Sequence, residues 1–336
     1  MNLNYNYLLA FIVAFCLTII IAPLVIQFLK KEKIKQTILS YVDNHNIKQG
    51  TPTMGGLIFI VVICVLALIF SEGKSIFINV SVVVFFSYGL VGFLDDFLKF
   101  KFKRNLGLRA YQKIIFQLAI SVIVAIFVYK SELLGGELFL PFVNKSINIG
   151  WWIIPLTAIV FLATTNSVNL IDGLDGLCSS TVIVYVLSFI ALIVTFFGER
   201  LLGLSNVLLF EYKSLIVLSC IVMGALFGFL LFNCYPAKIF MGDTGSLALG
   251  AIVSCLAIFT KTTLYLPILG CAFVVTALSV IIQVAYFKLT KKRVFLMAPL
   301  HHHFERKGVH EVKIVVWYAI ISLIVSAIVV LIETLC

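Results

Sequence analysis

Residues 151–187 read WWIIPLTAIVFLATTNSVNLIDGLDGLCSSTVIVYVL. An apolar run from Trp151 to Ala163 gives way to amides, carboxylates and glycines, and a second apolar run begins at Val182. Two such runs around a short polar stretch predict two membrane-spanning helices joined at one face of a bilayer. Inside the stretch, Asn166, Asn169, Asp172 and Asp175 recur at every third position, with Gly173 and Gly176 after the two aspartates. Ionisable groups at a membrane edge are costly and usually functional. Glycine lets the backbone turn tightly and approach a ligand. The plain alternative is a polar loop between spans, but two amides and two carboxylates at regular spacing are an unusual loop composition.

The rest of the chain repeats this pattern. Of 336 residues, 62% are hydrophobic and only 12% charged, against about half and a quarter in soluble domains. Mean hydropathy is +1.15. The expected fold is all-α, a polytopic membrane protein in one domain spanning 1–336. A span needs about 20 apolar residues. Ten are predicted, near 7–29, 55–71, 76–97, 112–130, 151–170, 177–197, 213–233, 244–262, 264–287 and 313–334. The second is short, and Lys261-Thr262-Thr263 makes a tight turn between the eighth and ninth. Eight cysteines lie scattered without a C-x-x-C pair, so neither a disulfide framework nor a zinc site is expected.

The net charge of +10 does not point to nucleic acid, because the basic residues sit in short loops between apolar runs. The segments after odd-numbered spans hold 19 of the 25 Lys and Arg. Positive loops stay inside, so both termini are expected on the outer face. Five of six aspartates (Asp95, Asp96, Asp172, Asp175, Asp243) and four of five histidines (His301, His302, His303, His310) fall at the inner edge. One polar site on the cytoplasmic face follows.

Four motifs supply that site. In KQGTPTMGG (48–56), Lys48 offers a compact charge for phosphate and Thr53 a hydroxyl; the plain alternative is a turn that starts a span. In LDDFLK, Asp95 and Asp96 are placed at the end of the third span, where carboxylates oppose the helix dipole. Adjacent helical residues point about 100° apart, so the two should differ in role, one on a metal ion and one handling a proton. A surface ion pair to Lys99 or Lys103 is the alternative. In FMGDTGS, Asp243 resembles a helix N-cap, yet helix N-termini also attract phosphate. Phe240 can stack on a base or sit at the interface, and Asn233 flanks the same loop. In PLHHHFE, His301, His302 and His303 can bind phosphate or carry protons, though three adjacent histidines cannot share one metal on a helix. Oxygen donors without thiolates suit Mg²⁺, which is held by carboxylates and substrate phosphates. The residues thus indicate a Mg²⁺-dependent transferase acting on a diphosphate donor and a lipid acceptor.

Together GTPTMGG, LDDFLK, NSVNLIDGLDGL, FNCYPAKIFMGDTGSLALG and PLHHHFE resemble the bacterial phospho-N-acetylmuramoyl-pentapeptide transferases, a branch of the polyprenyl-phosphate N-acetylhexosamine-1-phosphate transferases. The resemblance runs from Lys48 to Glu305. It implies transfer of phospho-MurNAc-pentapeptide from UDP-MurNAc-pentapeptide to undecaprenyl phosphate at the inner face of the plasma membrane. Lipid I and UMP are the products, in peptidoglycan synthesis, and nucleoside antibiotics bind the site. It implies Mg²⁺ with Asp243 and Asp95 as ligands, and catalytic roles for Asp95, Asp96, Asp243 and His301. On the substrate side it implies Lys48, Thr53, Lys113, Asn166, Asn169, Asp172, Gly173, Leu174, Asp175, Asn233, Phe240, His302 and His303. Tyr111 departs from the lysine common at its position, which leaves the basic role of its segment open. A homodimer is the implied assembly. Two rivals remain at this stage: the N-acetylglucosamine-1-phosphate branch of the same superfamily, and a transporter, which would place its acids near the midplane on repeated, broken helices.

Overall fold

The computed structural model describes residues 3–32, 50–102, 107–143, 145–198 and 205–335. Nine helices in this set are long and apolar enough to cross a membrane, and a shorter apolar helix makes ten. In chain order they are α1 (Leu3–Lys31), α2 (Gly56–Ser71), α3 (Ile76–Phe102), α4 (Ala110–Lys130), α5 (Ile153–Ile171), α6 (Leu177–Gly198), α7 (Asn206–Asn233), α8 (Gly242–Phe259), α10 (Cys271–Thr290) and α12 (Glu311–Leu335). Two short helices complete the set, α9 (Leu266–Leu269) and α11 (Leu300–Arg306). The short second span stands. Its 16 residues reach about 24 Å at 1.5 Å per residue.

Two expectations need correction. The ninth span is not continuous: a 3-10 turn at Thr263–Tyr265 and α9 precede α10, with the break at Gly270. A Cβ at Gly270 would stand 2.8 Å from Leu266 O and 2.9 Å from the Phe273 ring, so the break relies on close packing. The third span does not end at 97. α3 runs to Phe102, which leaves Asp95 and Asp96 almost two turns inside the helix. The connection between α4 and α5 carries a short hairpin. Glu137–Phe139 (β1) pairs antiparallel with Ser146–Asn148 (β2). That hairpin docks through Phe139 N–H on Lys261 O at 3.0 Å and Lys261 Nζ on Glu137 Oε2 at 2.8 Å.

The bundle is arranged around α8, in which every residue from Thr244 to Phe259 is buried. Lipid tails are as apolar as leucine, so helices associate through close packing and polar contacts rather than through hydrophobicity. Small residues allow this around α8. A Cβ at Gly56 of α2 would lie 2.3 Å from Gly245 N, and one at Gly92 of α3 would lie 2.1 Å from Asp243 O. The backbones of α2 and α3 therefore touch the first turn of α8. Rings fill the wider gaps, as where Tyr88 stacks on Phe161 at 5.8 Å and Phe59 meets Phe229 edge-on at 5.1 Å.

Two helix starts are capped from neighbouring helices. The first N–H groups of a helix lack intrahelical partners and carry partial positive charge. At α3, Glu211 of α7 accepts from Ser75 Oγ at 2.6 Å and from Ile76 N and Phe77 N at 3.0 Å each. At α8, Asp96 of α3 does the same service, and that contact lies in the site.

Candidate active site

One end of the bundle collects the C-terminal part of α3, the starts of α4 and α8, the loop after α5, and α11. Asp95, Asp96 and Asp243 each offer a carboxylate oxygen, and these oxygens all lie within 4.8 Å of one another. Helical geometry separates the two neighbours as expected. Asp95 turns its Oδ1 to the Leu108 N–H at 2.8 Å. Asp96 turns its Oδ2 to Thr244, accepting from N–H at 3.0 Å and Oγ1 at 2.7 Å. Asp243 is no cap. α8 begins at Gly242 with no side-chain cap bond, and Asp243 faces two lysines instead.

Those lysines hold the acids together. Lys99 Nζ lies 2.6 Å from Asp95 Oδ2, 3.7 Å from Asp96 Oδ1 and 3.1 Å from Asp243 Oδ2. Lys113 Nζ lies 2.8 Å from Asp243 Oδ2. Lys99 is four residues after Asp95 on one helix, a spacing visible in the sequence. The ion pair between Lys99 and Asp95 is thus present, but Asp95 is buried and the pair extends inward to Asp243 on another helix; Lys103 lies outside the described residues. Tyr111 is 55% exposed, so within RAYQK the lysine at 113 and not position 111 reaches the acids.

Backbone geometry fixes the approach of the first motif. Gly55 N–H donates to Phe240 O, Gly56 N–H to Met241 O and Phe240 N–H to Pro52 O, at 2.8, 3.0 and 2.9 Å. GTPTMGG is therefore zipped to the segment that starts α8. Gly242 has φ +71°, a conformation that favours glycine. A Cβ there would stand 2.5 Å from Asp96 Oδ2 and 3.0 Å from Thr53 Oγ1, which places Thr53 beside the acidic cluster. Lys48 lies outside the described residues.

The loop after α5 divides its polar residues between structure and site. Asn166 donates to Gln117 Oε1 at 2.7 Å and to Leu162 O at 2.8 Å, joining α5 to α4. Asp175 accepts from Ala237 N–H at 2.9 Å and its own N–H donates to Glu311. Asn233 is buried between Ser179 Oγ at 3.0 Å and Ile239 O at 3.0 Å. Leu174 is buried, and Phe240 is half-buried. The regular three-residue spacing therefore does not make one ligand face. Asp172, the C-cap of α5, makes no side-chain hydrogen bond among the described residues. Burial, then the charges of Asp243, Asp96 and Asp175, push its carboxyl well above the usual range. Asn169 is half-exposed one turn earlier.

The three histidines lie on α11. His301 is fully buried with neither ring nitrogen bonded among the described residues. Its Nε2 would be 2.4 Å from a Cβ on Gly173, and His302 Nε2 would be 3.0 Å away. Both rings thus face the Asp172-Gly173 turn. Burial, helped by His302, pushes His301 down to about 3. Near pH 7 it is therefore a neutral imidazole, able to donate or accept a hydrogen bond. His302 Nδ1 pairs with Glu305 Oε2 at 2.9 Å. His303 turns the other way: its Nδ1 accepts from Leu296 N–H at 3.1 Å and its ring meets Phe295. It belongs to the α10–α11 connection.

Sequence reasoning gave Thr244 and Glu305 no place in the site. Glu305 had a signal, three residues after His302 on a helical repeat. Thr244 had none, since its partner lies in a distant segment. The donor set itself suits an oxygen-seeking divalent cation: three carboxylates and no thiolate, already gathered around an ammonium.

Comparison with known proteins gives consistent matches. The family described as Glycosyl transferase family 4 matches residues 77–261. Phospho-N-acetylmuramoyl-pentapeptide-transferase signature 1 matches residues 48–60. The phospho-N-acetylmuramoyl-pentapeptide-transferase of Clostridium novyi (strain NT) is 43% identical over 318 residues, 94% of each chain. Those of Clostridium botulinum (strain Alaska E43 / Type E3) and Clostridioides difficile (strain 630) are 44% and 42% identical, each over 97% of this chain and 96% of their own length.

Proposed function

This chain belongs to the phospho-N-acetylmuramoyl-pentapeptide-transferase family, and from that premise we propose that it moves phospho-MurNAc-pentapeptide from UDP-MurNAc-pentapeptide to undecaprenyl phosphate. The products are lipid I and UMP, in peptidoglycan synthesis. The observation that carries the reading is the convergence of Asp95, Asp96 and Asp243 on Lys99 and Lys113 at one end of the bundle. A diphosphate donor needs charge neutralisation and positioning more than covalent chemistry.

In this reading Asp243, Asp95 and Asp96 would hold Mg²⁺, which supplies charge neutralisation on the donor diphosphate when bound. An oxygen of the lipid phosphate attacks the donor's β-phosphorus. The bond from that phosphorus to the bridging oxygen breaks, and its electrons leave with UMP. A phosphate monoester has a second pKa near 6, so the nucleophile is already ionised at neutral pH. Asp95 therefore orients it more than it removes a proton. Lys99 and Lys113 are the cations able to follow the charge from carboxylate to phosphate. Asp243 Oδ2 receives both ammonium groups, which makes it a poor nucleophile and favours a single displacement over a covalent intermediate. Asn169, Asp172, His301 and His302 line the side of the donor.

The membrane is the bacterial plasma membrane and the site faces the cytoplasm, supported by the 19 of 25 basic residues on the site's side of the predicted spans. Both termini then lie outside. A homodimer is the assembly implied by the family resemblance, and light scattering of the detergent-purified protein measures it.

The test is UMP release and lipid I formation from UDP-MurNAc-pentapeptide and undecaprenyl phosphate, with Mg²⁺, with EDTA, and without lipid. Mg²⁺-dependent product only with lipid is expected. One equivalent of UMP without lipid would overturn the single displacement. Product only from UDP-GlcNAc would overturn the choice of donor.

A further inference from the structure

The C-terminal half of α10 stands apart from the bundle. From Ile281 to Thr290 every residue except Gln283 is exposed, including Ile281, Ile282, Val284, Tyr286, Phe287 and Leu289. At the end of this apolar surface and directly beyond it come Lys288, then Lys291, Lys292 and Arg293, all exposed. Val294 and Leu296, 45% and 51% exposed, follow them. No acidic residue occurs between Asp243 and Glu305. Among the described residues none of the four cations forms an ion pair. Arg293 reaches only the Leu296 carbonyl, at 3.4 Å.

The helix dipole accounts for Lys288 alone, the basic residue of the last turn. The other three lie past the helix end. Four unpaired cations within six residues, flanked on both sides by exposed apolar side chains, match an anionic interface over apolar chains.

The same segment is tied to the site. Gln283 Oε1 accepts from Val294 N–H at 3.1 Å and Phe295 N–H at 2.9 Å, folding the chain back on α10. Leu300 N–H donates to Ser279 Oγ at 3.0 Å, and His303 holds Leu296. α11, with His301 and His302, is thereby carried on the end of α10.

We propose that the basic turn joining α10 to α11 docks on anionic phospholipid headgroups of the inner leaflet, and that this contact sets the placement of the histidine helix. The proposal rests on the functional reading above for its orientation. The partner is a lipid surface and not a soluble phosphate, because the charges are continuous with apolar residues that water would leave unpaired.

The experiment compares the full chain with a variant carrying Lys288→Gln, Lys291→Gln, Lys292→Gln and Arg293→Gln. Each is placed in bilayers of equal parts phosphatidylglycerol and phosphatidylcholine, extracted, and its retained lipid counted by mass spectrometry. Turnover is measured in phosphatidylcholine nanodiscs, in mixed nanodiscs and in detergent. The wild type should retain phosphatidylglycerol with roughly fivefold enrichment, the order expected for even one basic side chain at an anionic surface. Its turnover should rise in the mixed nanodiscs, and free glycerol phosphate should not replace the lipid. The variant should lose the enrichment and the response while keeping its turnover in detergent. Equal enrichment in both proteins, or a wild type indifferent to phosphatidylglycerol, overturns the proposal. Absence of turnover by the wild type in every medium would instead overturn the functional reading, and lipid retention would still decide the docking.

Discussion

Lys113 Nζ lies 2.8 Å from Asp243 Oδ2, a contact that ties the first turn of α4 to the first turn of α8. Lys113→Met leaves Asp243 with Lys99 alone. Three clustered carboxylates then share one ammonium, and breaking a largely buried pair costs a few kcal/mol. The expected result is a lower melting temperature and at least about a hundredfold loss in kcat/KM, the scale for removing one preorganised charge-stabilising group. Lys113→Arg should recover part of the stability. Steady-state kinetics and thermal melts of the three proteins check this, and unchanged kinetics in Lys113→Met would remove the residue from the site.

Asp95→Asn and Asp243→Asn keep the size of each side chain and remove its charge. Both should lower kcat by at least about a hundredfold, and Asp243→Asn should also raise the Mg²⁺ concentration needed for half-maximal rate. Wild-type turnover in both variants would refute the assignment of the acidic cluster.

His301 fixes an expectation for acid. Its folded pKa is pushed down to about 3, below the ordinary value near 6.5. Above 6.5 it is neutral folded or unfolded and contributes no pH dependence. As pH falls from 6.5 toward 3, the unfolded chain takes up a proton that the folded chain refuses, so stability declines. Linkage puts the loss at about 2 kcal/mol at pH 5. His301→Gln should flatten the fall in melting temperature between pH 7 and 5, and an unchanged slope would contradict the buried neutral ring.

Asp172 shows the opposite sign for a carboxyl. Its pKa is raised by burial and by Asp243, Asp96 and Asp175, so the folded state holds its proton more tightly than the unfolded state. Stability from this group is present at low pH and is lost as pH rises above the usual carboxylate range. Asp172→Asn removes that loss. The free protein should melt higher at neutral pH while its turnover falls. A variant both less stable and fully active would rule out this account.

The approach of α11 to the Asp172-Gly173 turn is testable by volume. A Cβ at Gly173 would sit 2.4 Å from His301 Nε2, closer than side-chain atoms allow. Gly173→Ala should displace α11 and reduce turnover. Combining it with His301→Gly, which removes the ring, should restore stability relative to the sum of the single changes, the coupling expected of neighbours. Simple additivity in a double-mutant cycle would place the two residues apart.

How much of this could be read from the chain depends on where each residue's partner lies. The spans follow from local composition, because a bilayer demands long apolar runs whatever the tertiary contacts. The break at Gly270 escaped that reading, since apolar residues continue across it and only packing against Leu266 and Phe273 requires the glycine. Asp95, Asp96 and Asp243 were legible as acids stranded at a membrane edge. Their union through Lys99 was half legible, because Asp95 is four residues away on the same helix while Asp243 is on another. Asn166, Asp175, Asn233 and His303 show the limit. As letters they are as polar as Asn169 or Asp172, yet Gln117, Ala237, Ser179 and Leu296 already hold them. Nothing in a linear sequence distinguishes a polar group bonded to a distant segment from one left for a ligand.

The enclosure of α8 has a consequence for synthesis. Ribosomes deliver the chain from its N-terminus, so α2, α3 and α5 enter the membrane before the helix they surround exists. Until α8 arrives, Gly56 and Gly92 face no backbone, and Asp96 has no Thr244 to cap. The early helices must wait in the bilayer, or beside the insertion machinery, with their polar ends unmatched. The eighth span to be translated thus closes the assembly as a keystone does, and a chain truncated before Gly242 would hold seven spans without Asp243 and without the helix on which α2, α3 and α5 converge.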